Sequence, residues 1–318
     1  MTSNTDATAA GVLTVSAPVS GSPAHVPASG DVPASRKNRG WLASLGLLPF
    51  GAYVVIFLAL PTLLAVGTGF FDAEGAFTFD NVAALGDPVI VQTFSNTLLL
   101  SAVTAVVGAI VGALVCYALV GTRPAGALRS FVDAASGVLA QFAGVMLAFA
   151  FIAVIGAQGV LTLLLRDAGL DIYEGGIWLY DLPGLVLPYL YFQIPLMIIT
   201  FLPALEALKP QWAEANATLG GSRLAFWTKI GMPVLAPSFF GSLLLLFANA
   251  FSAYGTAAAL ISQGSPIVPL QIRGALSSEV LLGRANLAGA LALGMIVIMA
   301  IVMSLYAVLQ RRASRWQR

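Results

Sequence analysis

The chain has 318 residues, 58% of them hydrophobic and only 9% charged, with a formal net charge of +1. That usage excludes an ordinary soluble domain and calls for several membrane spans, while the charge leaves no electrostatic footprint for nucleic acid. A single cysteine, Cys116, sits in an apolar run and excludes disulfides and thiolate metal clusters; the sole histidine, His25, lies in a Ser/Pro/Ala-rich tail with no metal-binding or catalytic context.

In chain order, residues 1–40 are small, polar and Pro-containing and are expected to be a disordered cytoplasmic tail. They do not read as a signal peptide, because no basic segment precedes a short apolar region with a cleavage site. Arg36, Lys37 and Arg39 close this tail. Six stretches then reach the length of about 20 apolar residues that a bilayer needs: Leu45–Phe71, Phe94–Val120, Phe131–Gly156, Leu185–Leu205, Val234–Ile261 and Leu287–Leu309. Pro49 and Pro61 in the first and Pro188 and Pro195 in the fourth predict kinks or breaks that neighbouring helices must satisfy. The expected organisation is a six-helix transmembrane domain over 41–310, with a loop at 206–233, and a basic tail at 311–318.

With the amino terminus inside, 12 of the 15 Lys and Arg fall on the cytoplasmic side. Only Arg166, Arg273 and Arg284 fall outside, and the outer loops hold most of the acids. This bias places both termini and the 206–233 loop in the cytoplasm. Two outer arginines in the 262–284 loop run against the trend. That loop is turn-rich and predicts a short re-entrant or surface helix around Leu276–Leu282. The closing tail is basic and contains Trp316, which suits contact with anionic membrane lipid.

No Gly-x-x-x-x-Gly-Lys-Ser/Thr occurs, so the chain has no phosphate-cradling loop with which to use ATP itself. No other catalytic motif or intramembrane carboxylate pair appears, so the chain does not read as an enzyme. An ion-coupled secondary transporter is the alternative from another class, and such proteins keep ionisable groups at membrane depth. The nearest candidate, Asp133, lies at the start of the third span and is expected to pair with Arg129 one turn back. For a substrate path the candidates are Asn249, Ser252 and Tyr254 of the fifth span, with Gln193 and Gln141. Ser238, Ser242, Asn249, Ser252 and Thr256 recur at helical spacing on one face of that span. These side chains suit either a polar path or interhelical hydrogen bonds.

One run between the fourth and fifth spans combines charge, Trp and helix signals: Glu206 to Pro237, EALKPQWAEANATLGGSRLAFWTKIGMPVLAP. Glu214-Ala215 begins a short helical pattern that stops at Gly220-Gly221, and glycine is the residue a helix end favours. Ile230 and Pro233 then lead into the next apolar run. The spacing Glu214, Ala215, Gly220, Ile230, Pro233, with Trp227 and Lys229, resembles the EAA loop of permease subunits in binding-protein-dependent ABC importers. Asn216, Leu219, Gly221 and Met232 depart from that pattern. The fifth span with its following loop (FANAFSAYGTAAALIS) and the closing GRANLAGALALGMIVIMAIVMSLYAVL are similar to spermidine/putrescine-type permeases and their relatives.

The resemblance implies an all-α, six-helix importer permease of the bacterial cytoplasmic membrane with a coupling helix. It implies a pair of ATPase subunits that bind the ATP, a second permease subunit and an extracytoplasmic solute-binding protein. Glu214, Ala215, Gly220, Ile230 and Pro233 would serve ATPase coupling. The expected cargo is a small, polyamine-type solute, and relatives of the spermidine/putrescine-type permeases import iron, thiamine, phosphonates or sulfate instead. No cofactor or metal is implied for the chain itself.

Overall fold

The structure, a computed structural model, describes residues 40–122, 126–176, 178–261, 264, 266–277 and 285–314. The expected tail over residues 1–39, Arg123, Glu279, Arg284 and the closing stretch 315–318 lie outside the described residues. Among the described residues regular structure is helical, apart from one antiparallel bridge between Phe71 and Phe77. Six helical stretches are long and apolar enough to cross a membrane: Leu47–Thr68, Pro88–Val120, Val145–Asp167, Leu182–Glu206, Arg223–Ser252 and Leu287–Val308.

The chain divides into two compact units at Tyr53. In the first, the described part is the single helix α1, Gly40–Tyr53, with Pro49 inside it. The second begins with a π-helical turn, Val54–Ala59, and α2, Leu60–Thr68. Pro61, which has no amide to donate, falls just after this π-helical turn. A short α3, Asp80–Ala83, precedes α4, Pro88–Val120, a helix of 33 residues whose Asp87 cap accepts a hydrogen bond from the Val89 amide. Then come α5, Ala127–Gln141, α6, Val145–Ile155, and α7, Val160–Asp167.

The next helix, α8, Val186–Glu206, is the centre of the second unit and packs against α4, α5 and α11. It stays continuous through Pro195 and Pro203, and Pro188 falls in its first turn. It is followed by α9, Pro210–Thr218, α10, Arg223–Phe226, a π-helical turn at Trp227–Gly231, and α11, Met232–Ser252. The last elements are α12, Gly255–Leu260, α13, Val268–Ser277, and α14, Leu287–Ser314.

Small residues let α4 and α8 approach closely, as in other membrane helix pairs. A Cβ on Gly108 would lie 2.9 Å from the Cβ of Gln193, and one on Gly112 only 2.5 Å from that of Met197. The core around this contact includes Met197, Leu246 and Ala109, all completely buried.

Two expected spans differ in outline. The run Phe131–Gly156 is not one helix: α5 ends at Gln141 and α6 starts at Val145, with Gly144 between them at φ +82°. Val234–Ile261 begins earlier, at Arg223, and breaks at Ala253-Tyr254. The two breaks meet. Thr256 Oγ1 accepts the Gly144 N–H at 2.9 Å and donates back to the Gly144 carbonyl at 3.3 Å. Tyr189 on α8 donates its hydroxyl to the carbonyl of Ala253 at 3.0 Å. Backbone groups freed by an interrupted helix are thus satisfied by protein, which is the condition for non-helical backbone in hydrocarbon. Of the loop helix expected around Leu276–Leu282, residues 278–282 lie outside the described residues, while Leu276 and Ser277 close α13, whose leading backbone is bound by α4: Asn96 Nδ2 donates to the Pro266 carbonyl and the Val268 amide donates to Thr97 Oγ1.

Candidate functional site

The Glu206–Gly231 loop is built by local chemistry. Pro210 opens α9 in a helix's first turn, where proline is tolerated, and α9 buries none of its residues. Its end is a Schellman motif: Gly220 takes φ +78°, its N–H donates to the Ala217 carbonyl at 3.0 Å, and the Gly221 N–H donates to the Asn216 carbonyl at 2.8 Å. The chain turns at once into α10, capped by Ser222, whose Oγ accepts the Ala225 amide. Asn216 Nδ2 spans the turn to the Ser222 carbonyl at 3.1 Å. The return limb is fastened by Trp227, which meets Tyr117 of α4 edge-on at 5.4 Å. The π-helical turn after it falls just ahead of Pro233, which has no amide to donate.

Glu214 and Ala215 stand exposed on α9, Gly220 forms its end, Ile230 is half-buried in the π turn, and Pro233 lies in the first turn of α11. Leu219 and Leu224 are 88% and 74% exposed, so the tip presents bare apolar surface.

The base of the loop is an ion-pair cluster. Buried Arg129 of α5 donates through Nε to Asp133 at 2.9 Å and through Nη2 to Glu206 at 2.7 Å. Burial works against the guanidinium charge, but the hydrogen bonds to both carboxylates outweigh it and raise its pKa further. The Arg129–Asp133 pair is the one expected from the sequence; Glu206 is the addition. An acid in the last turn of a helix opposes the helix dipole. Glu206 at the end of α8 therefore signalled a missing cation.

The polar candidates do not form one set. Ser252 and Tyr254 line a cavity of about 630 Å³ together with residues of α13 and α14. Asn249 is exposed one turn earlier on α11, and Gln141 is exposed at the end of α5. Gln193 is buried between α8 and α4 and donates to Thr104 Oγ1 at 3.3 Å. Thr256, expected on the Ser252 face, lies beyond the break and binds Gly144 instead. Among the described residues no group of three or more metal-ligating side chains occurs.

The helical fold with six membrane-length stretches is like that of solved ABC transporters. The chain superimposes with a TM-score of 0.70 at 19% identity on a bacterial ABC transporter involved in import of the acidic polysaccharide alginate, over 86% of this chain and 96% of that one. The same transporter in complex with its alginate pentasaccharide-bound periplasmic protein gives a TM-score of 0.69 over 86% of this chain and 95% of that one, again at 19% identity.

In sequence, the chain is similar to the sulfate transport system permease protein CysT of Salmonella typhimurium, 29% identical over 53% of this chain and 58% of that protein. It is also similar to the ferric transport system permease protein FbpB of Actinobacillus pleuropneumoniae, 28% identical over 65% of this chain and 29% of that protein. The spermidine/putrescine transport system permease protein PotB of Haemophilus influenzae is 22% identical over 80% of this chain and 89% of that protein. The matches to the first two thus span 58% and 29% of their lengths. No family model matches the chain. In sequence the chain is thus similar to permease proteins of several transport systems, and in fold to a bacterial ABC transporter.

Proposed function

We propose that the chain forms the translocation path of a binding-protein-dependent ABC importer for a small solute, moved by separate ATPase subunits. The observation that carries this reading is the α9 loop: a rigidly capped helix with an apolar tip, projecting from the bundle and burying nothing of its own. An exposed apolar patch on a fixed scaffold marks a protein interface. In the proposed orientation the loop and both termini face the cytoplasm, supported by 12 of 15 basic residues on that side. There α9, through Glu214 and Ala215, docks on an ATPase pair, and Gly220, Ile230 and Pro233 hold it at its angle. A solute-binding protein delivers cargo at the opposite face; the alginate transporter is solved in complex with a periplasmic protein bound to an alginate pentasaccharide. A second permease subunit, identical or different, completes the conduit, in the bacterial cytoplasmic membrane.

The relatives are named for sulfate, ferric and spermidine/putrescine transport, so a polyamine-type cargo is one of three classes at issue. Asn249, Ser252 and Tyr254 are the proposed path residues on the fifth span, and Gln193 and Gln141 take the same role only if the path extends to α8 and α5.

The test is co-purification of the tagged chain from its native membranes. An ATP-binding subunit is expected with the wild type. It is expected to be lost with Gly220→Val, which forces a branched side chain into a left-handed conformation at about 1–2 kcal/mol, and with Glu214→Lys, at unchanged membrane levels. Absence of such a subunit from the wild type, or uphill uptake by the purified chain alone on an ion gradient, overturns the reading.

A further inference from the structure

The cavity at the C-terminal end of α11 carries information about cargo that the loop does not. Its described lining comprises eight residues, among them Ser252, Tyr254 of the α11–α12 link, Ile272, Arg273 and Ser277 of α13, and Met295 of α14. Among these described residues Arg273 is the one charged side chain. Among the described residues no carboxylate lies within ion-pair distance of it, and no hydrogen-bond partner for its guanidinium or for the Tyr254 hydroxyl occurs. The serines differ: Ser252 donates to the Ala248 carbonyl and Ser277 to that of Gly274, each within its own helix. The free donors are therefore a guanidinium fork and a phenol, beside apolar walls.

Arg273 is also out of place by charge distribution, since basic residues avoid this side of the proposed topology. The other described arginine there, Arg166, is neutralised by Asp171 at 3.3 Å. Among the described residues Arg273 has no such partner. A planar five-donor cation with no described acid opposite it suits a carboxylate or oxyanion, which it can grip through two hydrogen bonds at once. The same charge repels a polycation, and no acid among the described lining residues offsets it.

We propose that this cavity is an anion-selective vestibule, accepting a small oxyanion or carboxylate through Arg273 and Tyr254 and turning polyamines away. The proposal rests on the importer reading for its place in transport, but the site itself is testable separately. The full-length chain, purified with whatever subunits it retains, is treated with phenylglyoxal, and modification of Arg273 is followed by peptide mass spectrometry, with Arg166 as internal reference. Sodium sulfate and sodium citrate are the probes, compared with sodium chloride at matched ionic strength and with spermidine.

Either sulfate or citrate is expected to slow labelling of Arg273 about tenfold at ten times its dissociation constant, by simple occupancy. Arg166 keeps its rate, and Tyr254→Phe weakens the protection. Equal protection by chloride, protection by spermidine, or no protection by either anion overturns the proposal. Protection in a preparation that carries no ATP-binding subunit would leave the anion site standing and remove the importer reading; the subunit present without protection would do the reverse.

Discussion

Asn216 and Gly221 depart together from the loop pattern, and their side chains explain each other. A Cβ on residue 221 would run into the Asn216 carboxamide, which occupies that space in order to reach the Ser222 carbonyl. Asparagine here ties the end of α9 to the start of α10, and glycine is what leaves it room. Gly221→Ala alone is therefore expected to loosen the turn, and Asn216→Ala alone to lose a hydrogen bond of about 1 kcal/mol. The double variant should recover more than the sum of the two allows, with a coupling of at least about 0.5 kcal/mol. Thermal melts of the detergent-purified protein, paired with protease cleavage within residues 219–224, measure this; strict additivity would show the two positions to be independent.

Between elements, the Arg129 cluster joins the end of α8, and so the root of the Glu206–Gly231 loop, to α5. From there α5 leads to the Gly144 junction with α12. The partners of Arg129 are half-exposed, which places the pair between surface and buried cases, at about 1–2 kcal/mol. Arg129→Glu is expected to lower stability, and Arg129→Glu with Glu206→Arg to restore part of it; a double-mutant cycle in melts reads the coupling. In uptake assays the single variant should also lower solute moved per ATP hydrolysed, a ratio that loss of stability alone does not change.

This scale is also where the sequence was least legible. The α9 cap could be read because helix-end chemistry is local, and the Arg129–Asp133 pair because it lies one turn apart. The α5–α6 break was hidden within an apolar run, Phe142-Ala143, and its partner hydroxyl is 112 residues away. A buried glutamine looks the same in sequence whether it faces a channel or a neighbouring helix; Gln193 lies against Gly108 of α4 and donates to Thr104, a contact 89 residues away that the sequence does not announce.

At the scale of the whole molecule, the proposed function depends on which side of the membrane the α9 loop faces. That orientation can be checked with one sulfhydryl, since Cys116 is the chain's only cysteine and is buried. In a Cys116→Ala background, Leu219→Cys at the fully projecting tip should resist a membrane-impermeant maleimide in intact cells and react in inside-out vesicles; the opposite pattern inverts the topology. The contact between Thr256 and the Gly144 backbone has a consequence for how such a chain is made. Ribosomes deliver Gly144 to the insertion machinery 112 residues before its partner hydroxyl. Until then its amide has no such mate within the nascent protein, and the third span should remain inside the translocase or beside a chaperone. Chains truncated ahead of α12 should therefore be cleared by membrane quality control, whereas those truncated after it should survive.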